Sequence, residues 1–444
     1  MSMNKDNPYS LISNEDYQHF SDSIFTLRVF AFVIIIIAHS VFVNIFYFLY
    51  LGSFGNALFS FLSGILLMVS MVNRRSLKIS WKEWYKKRAI RIYPSLIIST
   101  LIFVLVQFIY YRLVYEMNFI LIHMSGLQSL PINSPELILI IAGPHWYITA
   151  LICCYLMFPI FYYFIKKNYK FALFIGLFLY IFFISFSNIF YLGLGDITHF
   201  ILQKEMHEIV KAFFPQFFFF YFGMILGYWI GKDNFKNLKI ILNSRKVEFI
   251  SFFLFITSFL LLFISWYFNR MIFSDTFYGS IFNPIAALSL IIFILNFLNK
   301  KTSFNKFFKI PGEESYEVYL LHGISLTLVN TSYPFLQNNF ILYIFNLILV
   351  IIISINIAYP VYYFSNWIKR NRKYHSTIII ISLSLILYAI VFYIFNLSEI
   401  NIIHSIMLYL SFMSCLIIFF FIKRIINSKR PFKFKNLKVR SNSI

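Results

Sequence analysis

Apolar runs long enough to cross a bilayer recur along this chain, separated by short polar segments. A hydrocarbon core about 30 Å thick is spanned by roughly 20 apolar residues in a helix. The first such run is Val29 to Phe48, and others follow at approximately 54–72, 92–111, 145–165, 171–192, 212–231, 249–268, 278–298, 318–336, 340–367, 376–397 and 400–422. The pattern predicts an all-α, polytopic transmembrane helical bundle of about 12 helices. The run at Val29 is too long for a signal-peptide core. It follows Asp6, Glu15, Asp16 and Asp22 rather than a basic region, and no small-residue cleavage site comes after it. It reads as a retained first helix.

Charge placement supplies an orientation. Of the 38 Lys and Arg residues, all but Arg112, Lys204, Lys211 and Arg270 fall in segments that are cytoplasmic if the N-terminus is cytoplasmic. The 17 acidic residues divide far more evenly, 10 to 7. Membrane topology follows Lys and Arg and largely ignores acids. Both termini are therefore expected in the cytoplasm, with a short N-terminal segment over 1–24 and a basic tail over 424–444.

Composition narrows the classes. Charged residues make up 12% of the chain, against about 25% in soluble proteins, and the mean hydropathy is +0.76. No soluble domain of useful size fits between the spans. The net charge of +21 does not point to nucleic acid, because it is spread over short loops where it sets topology and meets anionic lipid heads. Membrane lipids are the partners it implies, and the membrane expected is the cytoplasmic (plasma) membrane. Cys153, Cys154 and Cys415 lie within spans and suggest neither a disulfide framework nor a metal site. The segment Gly195-Asp196-Ile197-Thr198-His199 lacks the serine that a Gly-Asp-Ser hydrolase motif requires. There is no phosphate-binding glycine loop, and no internal repeat of the kind that builds two-halved transporters.

Polar residues inside apolar spans carry the functional information, since burying them in hydrocarbon is costly. Arg28 stands at the expected start of the first span and His39 lies within it. Eleven residues at about 100° each make three turns plus roughly 20°, so both side chains leave one face, about 16 Å apart along the axis. Histidine titrates near neutrality and can take a proton from a hydroxyl. A packing histidine and a topology arginine would give the same spacing. The third span opens with Lys86-Lys87-Arg88-Ala89-Ile90-Arg91-Ile92-Tyr93-Pro94. Arg88 and Arg91 are neighbours on one helical face, and arginines grip phosphates bidentately; positive-inside charge accounts for the cations equally well. Ser315-Tyr316-Glu317-Val318-Tyr319-Leu320-Leu321-His322 starts the ninth span. His145-Trp146-Tyr147 opens the fourth, with Tyr155 and Pro159 further along, where Trp and Tyr read first as an interfacial belt.

In chain order these segments resemble the acyltransferase type-3 family of integral membrane acyltransferases. That family carries a basic residue, ten residues and a histidine in its first helix, as in Arg28 and His39. Its Ser-Gly of the second helix is matched by Phe61-Leu62-Ser63-Gly64, and its Arg-x-x-Arg with Tyr-Pro by Arg88 to Pro94. Its Trp motif resembles Trp146-Tyr147-Ile148, and Ser315 to His322 matches its Ser-Tyr-x-x-Tyr-Leu-x-His helix. Where many members carry a Glu pair, this chain has Leu151 and Ile152, as in the branch that handles surface polysaccharides. The resemblance implies a core of about ten helices over 25–370 and an appended two-helix hairpin over 371–423. It implies an O-acetyltransferase-like enzyme. The acyl group, expected to be acetyl, would move from cytoplasmic acyl-CoA (acetyl-CoA) as donor substrate to a sugar hydroxyl of a surface polysaccharide or its lipid-linked precursor. His39 would be the catalytic base or nucleophile, and Arg28, Arg88 and Arg91 would hold the CoA phosphates. Tyr93, Trp146, Tyr316 and His322 would position substrates, without a metal. The rival class is a polysaccharide or lipid-linked oligosaccharide transporter or flippase, in which the same cations would bind a lipid diphosphate.

Overall fold

The computed structural model describes residues 14–40, 49–73, 80–128, 145–193, 202–233, 235–269, 276–300, 302–332 and 340–396. These residues are almost all helical. Helix α1 spans Asn14–Ser40, α2 Leu49–Asn73, α3 Trp81–Tyr111, α4 Met117–Ser125 and α5 Trp146–Lys167. Then come α6 Tyr169–Gly193, α7 Leu202–Lys232, α8 Lys236–Leu242, α9 Arg245–Asn269 and α10 Thr276–Lys300. The last four are α11 Thr302–Glu313, α12 Ser315–Ser332, α13 Phe340–Arg370 and α14 His375–Asn396. Each expected span from 54–72 to 376–397 falls on one of these helices over the residues described, with 333–336 and 397 lying outside them. The span 400–422, the tail 424–444 and the Gly195–His199 segment lie outside the described residues.

Among the described residues, six helices are long and apolar enough to cross a membrane: Tyr17–Ser40, Gly52–Asn73, Trp81–Tyr111, Trp146–Lys167, Phe282–Asn299 and Ile344–Arg370. Large apolar side chains also face outward, among them Leu156 and Ile160 of α5, Phe174 and Phe178 of α6, and Ile348 and Ile352 of α13. Such a surface is stable in hydrocarbon, where helices satisfy their own backbone hydrogen bonds. The protein is a helical bundle of the membrane type.

The first helix starts earlier than its apolar run. It begins at Asn14, so Arg28 lies in mid-helix rather than at its start, and His39 falls in the last turn. The reason is lateral pairing with amphipathic α11. Lys309 Nζ sits 3.2 Å from the Asp22 carboxylate, Thr26 Oγ1 donates to Asn305 Oδ1 at 3.1 Å, and Asn305 Nδ2 donates to Ser23 Oγ at 2.9 Å. Polar residues that hydropathy assigns to water are thus satisfied inside the protein. Gly312 lets α11 close onto α1, since a Cβ there would strike the Phe25 carbonyl.

Helices α2 and α7 pack as tightly as backbones allow. Gly223, Gly227 and Gly231 recur every four residues, and a Cβ on Gly227 would come within 2.6 Å of the Ile65 carbonyl. Gly64 meets the Phe220 carbonyl from the other side. Small residues at this spacing are the usual device for close approach of membrane helices, so the Ser63-Gly64 motif is accounted for by packing.

Helix α3 is started by an N-cap, in which Ser80 Oγ accepts from the Glu83 amide at 3.4 Å. It ends where Arg112 turns left-handed at φ 56°. The chain then turns back into the protein. Residues 112–144 read as an external loop, yet α4 descends beside α3 until Ser125 and Gly126 meet Tyr93 and Leu96. Leu96 lies 15 residues from the end of α3, about 22 Å at 1.5 Å per residue. Gly126 adopts φ 74°, a conformation that costs a residue with Cβ far more than glycine. There is no room for a Cβ either, because Ile152, Leu96 and Ile148 crowd the site. The Tyr93 hydroxyl donates to the Ser125 carbonyl at 3.1 Å, and Thr149 Oγ1 to the Gly126 carbonyl at 2.8 Å. Leu121 through Leu127 are buried. Helix α14 covers the outside of this re-entrant segment, with Tyr388 donating to Asn118 Oδ1 at 2.6 Å.

Candidate active site

Three helices bring cations to one end of the bundle. Arg28 of α1 interacts electrostatically with Arg88 and Arg91 of α3, and Lys369 from the last turn of α13 joins the same group. Carboxylates partly offset them. Arg91 Nη1 stands 3.6 Å from Glu317 Oε1, and its Nη2 donates to the Glu313 carbonyl at 3.1 Å. Ser95 Oγ donates to the same Glu317 oxygen at 2.8 Å. Aromatic faces complete the surroundings: Arg88 lies over Trp84, and Arg91 over Tyr316 and Tyr362, with 5.6–6.0 Å between guanidinium carbon and ring centre. Tyr362 donates to Glu313 Oε2 at 2.8 Å. Arg28 Nε is buried with no hydrogen-bond partner. In the turn between α11 and α12, burial and the nearby Glu317 and Glu313 push the Glu314 carboxyl up to about 8.

A second group forms further along the same helices. The rings of His39 and His322 meet edge to face, with centroids 5.1 Å apart. His39 Nδ1 lies 2.8 Å from the Ile35 carbonyl, and His322 Nδ1 lies 2.6 Å from the Tyr319 carbonyl. A carbonyl oxygen only accepts, so Nδ1 carries the hydrogen in both rings, and in the neutral state Nε2 carries the lone pair. His322 is fully buried and its Nε2 has no partner. Each neutral ring therefore keeps one nitrogen lone pair, with the two ring centres 5.1 Å apart.

Tyrosines join the two groups. The Tyr319 ring lies 5.6 Å from His322 and 5.5 Å from Tyr147, and Tyr147 interacts electrostatically with Arg28. Ser60 Oγ is 3.1 Å from the Tyr147 hydroxyl and 2.9 Å from Gln216 Oε1. The result is one continuous row of polar side chains from the arginines to the paired imidazoles.

The fold therefore gathers Arg28, Arg88, Arg91 and Tyr316 at one end and His39 with His322 at the other. Tyr93 is buried and holds Ser125 of the re-entrant segment. Trp146 is half-buried on the first turn of α5, edge to face with Tyr147 at 6.1 Å. Tyr147 is buried in the core rather than in an interfacial belt.

An acyltransferase domain, that of the acyltransferase type-3 family, matches residues 22–363. The chain belongs to that family. No curated protein and no solved structure matches it. As an acyltransferase type-3 protein it is an acyltransferase built into a membrane helical bundle, and the matched region includes Arg28, His39, Arg88, Arg91, Trp146 and the Ser315–His322 helix.

Several residues of the site escape a reading of the sequence. Glu317 stands within the Ser315–His322 motif, but that it answers Arg91 follows only from packing. Lys369 looks in one dimension like any other loop cation, and its approach to Arg88 and Arg91 follows only from how α13 ends. Tyr319 and Tyr147 are two among 31 tyrosines. His123 falls in a segment expected outside the membrane.

Proposed function

We propose that this acyltransferase moves an acyl group, acetyl in the simplest case, from acyl-CoA on the cytoplasmic side to a sugar hydroxyl of a surface polysaccharide or its lipid-linked precursor. The observation that supports it most is that α1 carries both Arg28, in the basic group, and His39, paired with His322. A thioester held by its phosphates at the arginines would reach along this row of polar side chains toward the imidazoles. Arginine suits that task because its planar fork matches phosphate oxygens.

The chemistry is one proton and one acyl exchange. The acceptor oxygen attacks the thioester carbonyl carbon, and its proton passes to the lone pair on His39 Nε2. The C–S bond breaks, and the departing CoA thiolate takes that proton back. His322 would steady the transient imidazolium through its own lone pair. General-base assistance of this kind is worth roughly 10²–10⁴-fold in rate. Transfer by way of an acyl group on His39 needs the same atoms in two steps; the direct route is the simpler.

Mass spectrometry of surface glycans tests the reading. A strain lacking the protein should lose O-acyl groups that the wild-type chain restores and His39→Gln does not. Unchanged glycan acylation in the deletion strain would overturn it.

A further inference from the structure

The re-entrant segment holds buried polar groups that the reaction above leaves unused. His123 Nδ1 is tied to the Phe119 carbonyl at 3.0 Å, and its Nε2 has no partner. His145 Nε2 is tied to the Leu320 carbonyl at 2.9 Å, and its Nδ1 has none. Both atoms of the Gln128 amide are also without a partner. All three side chains are fully buried. Leaving a buried polar group unpaired costs about 1–3 kcal/mol, and native proteins rarely do so.

The backbone around them is treated differently. The carbonyls of Ser125 and Gly126 and the amide of Leu127 all have partners, from Tyr93, Thr149 and Ser125. The main chain of the segment is tied down, while His123, His145 and Gln128 keep unpaired atoms. The two imidazoles lie beside the reaction centre, since His123 interacts electrostatically with His145, and His145 with His322, which touches His39. Gln128 follows two residues after Gly126, which packs on Ile148 and Ile152 of α5.

We propose that α4, Gly126–Gln128 and the first turn of α5 form the acceptor subsite, and that it takes a polyhydroxylated ligand. The donor–acceptor balance selects that chemistry. Two neutral imidazoles offer lone pairs, and the amide offers an acceptor oxygen and an NH2 with two hydrogens. A phosphate brings acceptors where acceptors already stand, so a lipid diphosphate is a poor match. Among the described residues no trio of His, Cys, Asp or Glu is spaced to hold a metal ion. Hydroxyl groups bring the missing hydrogens. A tightly anchored, hydroxyl-reading segment next to His39 would present one hydroxyl to the base while its neighbours are held.

The assignment rests on the acyl-transfer reading only in calling the ligand the acceptor, and it is tested without any acyl donor. Purified protein in lipid nanodiscs is titrated with methyl glycosides of a hexose and an N-acetylhexosamine, and with the same sugars O-methylated at every hydroxyl. Wild type should bind the free glycosides and lose affinity for the O-methylated ones. Gln128→Leu, nearly the same shape, should weaken glycoside binding about tenfold or more while its Tm stays level or rises, because no existing hydrogen bond is removed. His123→Gln, which keeps an acceptor, should fall in between. Equal binding of O-methylated probes, no binding of free glycosides, unchanged affinity in Gln128→Leu, or a clear fall in its Tm would each overturn the subsite. Acyl transfer is judged separately by His39→Gln, so either assignment can fail alone.

Discussion

Four cations gather around Arg91 and four histidines around His322, and the two groups meet burial in opposite ways. Around Arg91 the positive charge is kept and answered, by Glu317 at 3.6 Å, by the Glu313 carbonyl and by two tyrosine faces. Around His39, His322, His145 and His123 no carboxylate intervenes in the hydrogen bonds. Each ring gives its one hydrogen to a backbone carbonyl. The first arrangement suits a fixed anion, because cations outnumber the acids that balance them. The second suits a ligand or proton that comes and goes, because lone pairs are left over. Buried charge requires compensation at all times, whereas a neutral imidazole waits at a modest cost.

That contrast can be broken most decisively at His39. His39→Gln keeps a hydrogen-bonding end but cannot accept a proton near neutral pH. O-acyl transfer should drop by roughly 10²-fold or more, with membrane levels and Tm unchanged, whereas His322→Gln should keep partial activity. Near-normal acylation in the His39 variant would empty the central group of its chemistry.

At the basic end the leading effect should be on folding. Arg91→Ala leaves the Glu317 carboxylate buried and uncompensated, for which about 3–5 kcal/mol of destabilisation is typical. Thermal unfolding in detergent should show a large fall in Tm, and a second change, Glu317→Gln, should restore part of it. An unshifted Tm would mean that the pair is not a structural one.

Arg88→Ala should behave differently from Arg91→Ala. A charge-assisted hydrogen bond to the donor phosphates is worth about 1.5–3 kcal/mol, so without it acyl-CoA affinity should weaken roughly tenfold or more. Titration of CoA thioester into purified protein separates the two arginines, and equal affinity would leave Arg88 as a topology charge.

The effect confined to one pH window belongs to Glu314. Its carboxyl titrates at about 8, raised mainly by burial, against an unfolded value near 4.3. Below about pH 4 both states hold the proton and the full stability is present. From about pH 5 to 8 the unfolded state gives up its proton first, so stability drains away as pH rises. Glu314→Gln should flatten the decline of Tm across that window. Parallel profiles for the two proteins would place the carboxyl in water.

Much of the fold was readable because a helix satisfies its backbone within one segment, so membrane spans appear in one dimension as apolar runs. The register of Arg28 with His39 follows in the same way from helix geometry. Periodicity cannot show what pairs across the chain. Asp22 belongs to α1 because Lys309, 287 residues away, receives it, and Arg91 finds its carboxylate in a helix that starts more than 200 residues later. Residues 112–128 look like an outer loop until Tyr93, Thr149 and Gly126 draw them inward. A bundle of apolar helices, and the one face that carries Arg28 and His39, could be read from the amino acids because both are local properties. Which imidazole meets His39, which cations gather at the far end and which side chains are buried without partners depend on packing between helices, and no local pattern encodes that.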